Sequence, residues 1–146
     1  MLFNNIFNII EISNFVFIMI VFLSYKWEDK KHADDLKSYL RNPNNMYRHI
    51  PLTERDDYRE KGKKYVREYL RDIIGNCDAF LCLIGKNTHS SPWVSYEIDV
   101  ANSQSKKIIP VRIPNTAGGL PKLIKDRKIK IIEWNSREIN NALSKN

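Results

Sequence analysis

Apolar residues in this chain follow two alternating patterns. Short continuous runs, suited to strands buried on both faces, alternate with stretches whose apolar residues recur every three or four positions, as on one face of a helix. The first run is Val16 to Leu23, stopped by Ser24. A helix is predicted from about Glu28 to Arg41, with Ala33, Leu36 and Leu40 on one face. The stretch Arg41-Asn-Pro-Asn-Asn45 ends it, because Pro and clustered Asn do not continue a helix. Met46 to Leu52 reads as a weaker second strand, and the polar stretch Thr53 to Arg59 leads to a helix from about Glu60 to Ile74. Val66, Leu70, Ile73 and Ile74 form its apolar stripe, and Gly75-Asn76 suits its C-terminus. Ala79 to Ile84 is a continuous apolar run and a predicted central strand. After the polar loop Gly85 to Ser91, Ser91 is placed to cap a helix whose first residue is Pro92. Val94, Ile98 and Ala101 give that helix its buried face. Lys107 to Ile113 is a fourth strand, Asn115 to Gly119 a loop and candidate lid, and Pro121 to Arg127 a short helix. Ile129 to Trp134 is a fifth strand, and residues 135 to 143 a last, marginal helix.

Strand and helix alternate throughout, with short loops. That order predicts an α/β fold: a parallel sheet covered by helices on both faces, in three layers α/β/α. The handedness of crossovers favours a flavodoxin-like, doubly wound sheet of five strands. In such sheets ligands bind outside the carboxyl ends of the strands. Attention therefore falls on Ser24–Asp29, Thr53–Arg59, Gly85–Glu97 and Pro114–Gly119.

The N-terminus changes this picture only in part. Of the first 23 residues, 17 are apolar, but Asn4, Asn5, Asn8, Glu11 and Asn14 interrupt them. No basic residue precedes an apolar core, as a secretory signal would require. Residues 1–14 are an apolar leader of unassigned role, and residues 15–146 a single domain. A membrane anchor over residues 1–23 is the minority reading, supported by Lys26, Lys30 and Lys31 just after it. The chain of 146 residues is otherwise globular in composition, with 42% apolar and 28% charged residues. Its net charge of +7 permits an anionic partner without selecting one. Cys77 and Cys82, the only cysteines, have neither CxxC nor zinc-ligand spacing and read as reduced core thiols of a cytoplasmic protein. The basic residues Lys61, Lys63, Lys64, Arg67 and Arg71 are interleaved with Glu60, Glu68 and Asp72, the pattern of a solvated face, and no nucleic acid partner is expected. His32, His49 and His89 have no Cys or carboxylate at ligand spacing, and no metal site is expected.

The common chemistries of such sheets can be tested against the strand-end loops. Ser24-Tyr-Lys-Trp-Glu-Asp29 is too bulky to cradle a flavin phosphate. Neither GxGxxG nor a Walker loop is present. A phosphoacceptor Asp is missing near Ile84-Gly85, and the acidic pair Glu28-Asp29 alone does not make a receiver site. What remains is the segment Gly85 to Ile98. Trp93 and Glu97 are four residues apart, one turn along a helical face, at the border of the buried stripe. A carboxylate shielded by an indole there could stabilise an oxocarbenium-like centre, as in glycosidic bond cleavage. On spacing alone, Glu97 reads first as an exposed first-turn acid favoured by the helix dipole, beside a Trp that only packs.

The segments Phe22-Leu-Ser-Tyr25, Cys77-Asp-Ala-Phe-Leu-Cys-Leu-Ile-Gly85, Asn87-Thr88 and Ser91-x-Trp93-x-x-x-Glu97-Ile98 together resemble a Toll/interleukin-1 receptor (TIR) domain. Within that family the likeness is greatest to the small TIR-like group that includes the Thoeris anti-phage protein ThsB. It spans about residues 16 to 134. The resemblance implies a five-stranded flavodoxin-like fold and cleavage of NAD at the nicotinamide–ribose bond, giving an ADP-ribose-type product that can be cyclic. It implies that Glu97 is catalytic, that Ser24, Tyr25, Trp93, Ser91 and Thr88 bind the substrate, and that NAD is a substrate with no further cofactor. A homo-oligomer, and a separate effector that responds to the product, are the partners it implies. A non-catalytic TIR-like interaction module is the alternative. The loop Pro51 to Asp57 matches no family pattern; Arg55, Asp57 or Arg59 could contact ribose or phosphate there, or be solvated.

Overall fold

The computed structural model describes residues 18–42, 48–52 and 62–144, with side chains described for 19–42 and 62–144. The apolar leader, most of the loop after the second strand (with Arg55, Asp57 and Arg59) and the start of the first strand lie outside the described residues.

Four strands form one parallel sheet: β1 (Ile18–Ser24), β2 (Arg48–Leu52), β3 (Ala79–Ile84) and β4 (Ile108–Arg112), in the order β2-β1-β3-β4. The helices between and after them are α1 (Lys30–Leu40), α2 (Lys63–Gly75), α3 (Pro92–Ser103), α4 (Lys122–Asp126) and α5 (Ser136–Ser144). The order is doubly wound and the layers are α/β/α, as the alternating pattern predicts.

Side-chain alternation along β1 explains the layering. Val21 and Leu23 face one side of the sheet, where they meet Ala33, Leu36 and Leu40 of α1 and Ile139 and Leu143 of α5. Phe22 faces the other side, with Val66, Leu70 and Ile74 of α2, Val94, Ile98 and Ala101 of α3, and Ile124 of α4. Phe22 and Phe80 stack there, with ring centroids 5.5 Å apart. Every residue of β3 is buried, which a strand covered on both faces requires.

The fifth strand is the main departure from expectation. Residues 129–134 meet the sheet only through a single parallel bridge between Val111 and Ile132. Two backbone bonds hold it: Arg112 N–H donates to the Ile132 carbonyl at 2.9 Å, and Ile132 N–H donates to the Pro110 carbonyl at 2.8 Å. Pro110 lies two residues before Arg112, so its nitrogen faces the same outer edge. That nitrogen carries no hydrogen, so the ladder cannot extend back toward residue 130, and Pro114, two residues after Arg112, lacks the donor needed on the other side.

The loop Asn115–Gly119 is also not a lid. A Cβ on Gly118 would lie 2.3 Å from the Lys86 carbonyl oxygen and 2.4 Å from that of Gly85. The loop therefore lies directly on the backbone after β3. Arg112 Nη1 donates to the Gly118 carbonyl at 2.9 Å, and Thr116 Oγ1 donates to the Ile113 carbonyl at 2.6 Å. These contacts fix the loop as a wall of the strand-end region.

Two outcomes follow from this packing. Gly118→Ala forces two backbone segments apart and should destabilise the fold by about 1–3 kcal/mol, read as a lower Tm in thermal melting. Cys77 and Cys82 are both buried, and burial raises both thiol pKa values. Neither should react with an aromatic disulfide reagent at neutral pH until denaturant unfolds the chain; rapid labelling of the native protein would contradict the packing described.

Candidate active site

β1 and β3 are neighbours, but the chain leaves them toward opposite faces of the sheet. After β1 it turns into α1 on one face, and after β3 it turns into α3 on the other. The loops diverge and leave a crevice above the carboxyl ends of the two strands, the usual ligand position in doubly wound sheets.

Ser24, the last residue of β1, pairs in register with Cys82 of β3. Alternation turns Ser24 to the same face as Phe22, toward α3. There its Oγ donates a short hydrogen bond to Glu97 Oε2. Both residues are buried, Ser24 at 1% and Glu97 at 4% relative exposure. Glu97 is therefore neither an exposed first-turn acid nor a border residue: it is enclosed between β1, β3 and its own helix. The Cys82 thiol adjoins the pair. Burial first, and then the Glu97 carboxylate, raise its pKa, while Ser24 opposes the shift. Burial thus keeps the Cys82 thiol in its neutral form.

α3 begins as the sequence predicts. Ser91 is its N-cap, with Oγ accepting from Val94 N–H at 3.3 Å, and Pro92 opens the first turn. The preceding loop is held by Thr88, 1% exposed. Its Oγ1 accepts from Gly85 N–H at 2.8 Å and donates to the Leu83 carbonyl at 3.2 Å. The Ser91 and Thr88 hydroxyls, expected to bind substrate, thus bond the local backbone. Trp93 is partly buried and packs edge-to-face on Tyr96, with centroids 6.3 Å apart. Tyr96 in turn lies under the Arg67 guanidinium and donates to the Arg67 carbonyl. The indole is anchored toward α2.

Tyr25 is not brought to this cluster. One residue beyond Ser24, it turns to the opposite face, packs against the α1-side core and lies under Lys37 Nζ at 5.4 Å. The reason is the two-residue period of extended chain, which separates adjacent side chains across the sheet. His89 is exposed and lies against Gly119, with ring atoms 3.4 to 3.6 Å from where a Cβ would stand.

Two residues near the carboxyl ends of β1 and β3 were not singled out as site residues. One is Cys82, which a buried apolar run makes look like plain core. The other is Asp29, the N-cap residue of α1, whose side chain makes no capping bond. Its carboxyl reaches across to the end of β3 instead. A Cβ on Gly85 would lie 2.4 Å from Asp29 Oδ2 and 2.7 Å from Oδ1. The absence of a side chain at Gly85 is what admits it. An acidic residue one turn past a strand-end Ser-Tyr was the only available signal, and nothing local tied it to Gly85.

Among the described residues no helix is long and apolar enough to cross a membrane. A comparison with curated proteins finds no sequence match. Among solved structures the fold is similar to a 2-desoxiribosyltransferase from Leishmania mexicana, with a TM-score of 0.61 and 13% identity over 86% of this chain and 97% of that one. It is also similar to BcmB, a CMP N-glycosidase of Clostridium botulinum, with a TM-score of 0.52 and 24% identity over 86% of this chain and 99% of that one. A prokaryotic SEFIR domain is a third neighbour, at a TM-score of 0.57 and 19% identity over 88% of this chain and 94% of that one. The TIR domain family profile matches residues 21–145. The chain belongs to the TIR domain family.

Proposed function

We propose that this TIR domain is an NAD-consuming enzyme that cleaves the nicotinamide–ribose bond, with Glu97 as its catalytic residue. The observation that carries this reading is the buried Glu97 carboxylate, held by Ser24 at the divergence of β1 and β3. A carboxylate kept away from water interacts strongly with a developing positive charge, because the local dielectric is low. Cleavage of an N-glycosidic bond develops such a charge on the sugar. The departing nicotinamide takes the bond electrons and leaves neutral, so the acid needed for a poor leaving group is not required. Glu97 would stabilise the cationic ribose and orient one of its hydroxyls.

Two fold neighbours support a glycosyl-cleaving reading by their names, a desoxiribosyltransferase and a CMP N-glycosidase. Ser24 takes the role of a positioning residue. Its hydroxyl fixes one oxygen of the carboxylate. Trp93 and the Ser91 and Thr88 turns shape the wall of the nucleotide site rather than donate to it. The product would be an ADP-ribose-type signal, linear or cyclic, read by a separate effector in anti-phage defence, and the enzyme would work as a homo-oligomer in the cytoplasm.

The test incubates the purified chain, alone and with phage-infected lysate, with NAD and follows nicotinamide release by chromatography. Glu97→Gln, which keeps the shape and the Ser24 contact, should lose turnover by roughly 10²-fold or more, the scale of removing one preorganised electrostatic contact, while melting near the wild-type Tm. Equal nicotinamide release by wild type and variant would remove Glu97 from catalysis, and no release from either under both conditions would favour an interaction module. Ser24→Ala leaves a buried carboxylate oxygen without its donor. It should lower stability by about 1–3 kcal/mol and reduce turnover while leaving product identity unchanged.

A further inference from the structure

Asp29 has a chemistry that the Ser24–Glu97 pair does not use. Its Oδ2 is buried and has no hydrogen-bond partner among the described residues. Native structures rarely leave a buried carboxylate oxygen in this condition, and each instance calls for an explanation. The usual structural explanation fails here. Asp29 occupies the N-cap position of α1, where a carboxylate normally accepts from the first-turn N–H groups, yet it makes no such bond. The carboxyl is directed instead over Gly85, onto the crevice between β1 and β3.

The surroundings hold it in this strained electrostatic position. Burial raises its pKa and Glu28 raises it further, while His32, Lys26 and the Thr88 hydroxyl pull it down. The Thr88 hydroxyl also braces the Gly85 turn from below. Asp29 therefore sits between a side chain that fixes the turn and a glycine that makes room for the carboxyl. Trp27, two residues earlier in the same turn, is half-exposed, whereas Glu97 is enclosed.

The vertical separation of the two acids assigns them different parts of a ligand. Glu97 lies beside Cys82, and Asp29 lies against Gly85, three residues further along. The two carboxyl groups are therefore held at different levels of the strand ends, Glu97 by Ser24 and Asp29 against Gly85. We propose that Asp29 is the recognition residue of the crevice: its Oδ2 accepts a hydrogen bond from a hydroxyl or N–H group of the bound nucleotide, remote from the bond that faces Glu97. The proposal rests on the N-glycoside reading for the class of ligand and on geometry alone for the acceptor.

The experiment measures NAD affinity by calorimetry in the full chain carrying Glu97→Gln, so that binding is read without turnover, and repeats it with Asp29→Asn and with Asp29→Ala added. CMP is the second probe. Loss of a hydrogen bond to a charged acceptor should weaken binding at least tenfold, while the ligand-free variants melt at or above the Tm of their parent, since a buried carboxylate oxygen without a partner has been removed. Unchanged affinity with both probes overturns the proposal and leaves the Glu97 reading to its own turnover assay. A Tm several degrees below the parent in both variants also overturns it, because the carboxyl is then a brace of the fold. If neither probe binds the parent, the N-glycoside reading loses its ligand, and the melting result decides Asp29: a higher Tm supports an acceptor held for some other donor, and an unchanged or lower one overturns it.

Discussion

The pairing of β1 with β3 is the constraint on which the rest of this structure depends. Both strands are covered on two faces by apolar residues, so they take the centre of the sheet. Right-handed crossovers then send the chain after β1 to one face and the chain after β3, by way of α3, to the other. The same register sets Ser24 beside Cys82 and opens the crevice above them. Packing and site are thus consequences of one ladder. Phe22 and Phe80 stack one step below the level at which Ser24 meets Glu97.

Burial of Glu97 has an energetic consequence. A charged carboxylate removed from water is unfavourable unless bonded. The Ser24 hydroxyl offsets part of this, and Cys82, kept neutral, adds no second charge. The strand-end loops limit relaxation. Thr88 ties the start of its loop to Leu83 and Gly85, and Gly118 rests on the backbone of Lys86. A carboxylate held in so inflexible a frame is preorganised, which is the condition under which a fixed charge contributes most to a reaction that develops charge.

Much of this was legible in the chain. Continuous runs such as Ala79–Ile84 mark buried strands, and the stripe Val66, Leu70, Ile74 marks a helix face, because these patterns are local responses to burial. Ser91-Pro92 marks a helix start for an equally local reason. The fifth strand failed at Pro110, a residue whose effect depends on which sheet edge its nitrogen faces. Tyr25 is turned away from Glu97 because the strand period separates it from Ser24. Thr88 and Ser91 carry hydroxyls of the right type, but their nearest unsatisfied partners are backbone groups in the same turns.

The order of apolar runs and helical stripes determines the α/β class and the doubly wound arrangement, because burial and helix periodicity act within a few residues; Glu97 stands out only by the likeness of Ser91-x-Trp93-x-x-x-Glu97 to the TIR pattern. Ser24 and Glu97 are 73 positions apart, and Asp29 and Gly85 are 56 apart. Whether such pairs touch is set by strand register and by which face each crossover takes. Only the folded chain decides those, so the enclosure of Glu97, the reach of Asp29 over Gly85 and the diversion of Tyr25 to the far face belong to tertiary structure.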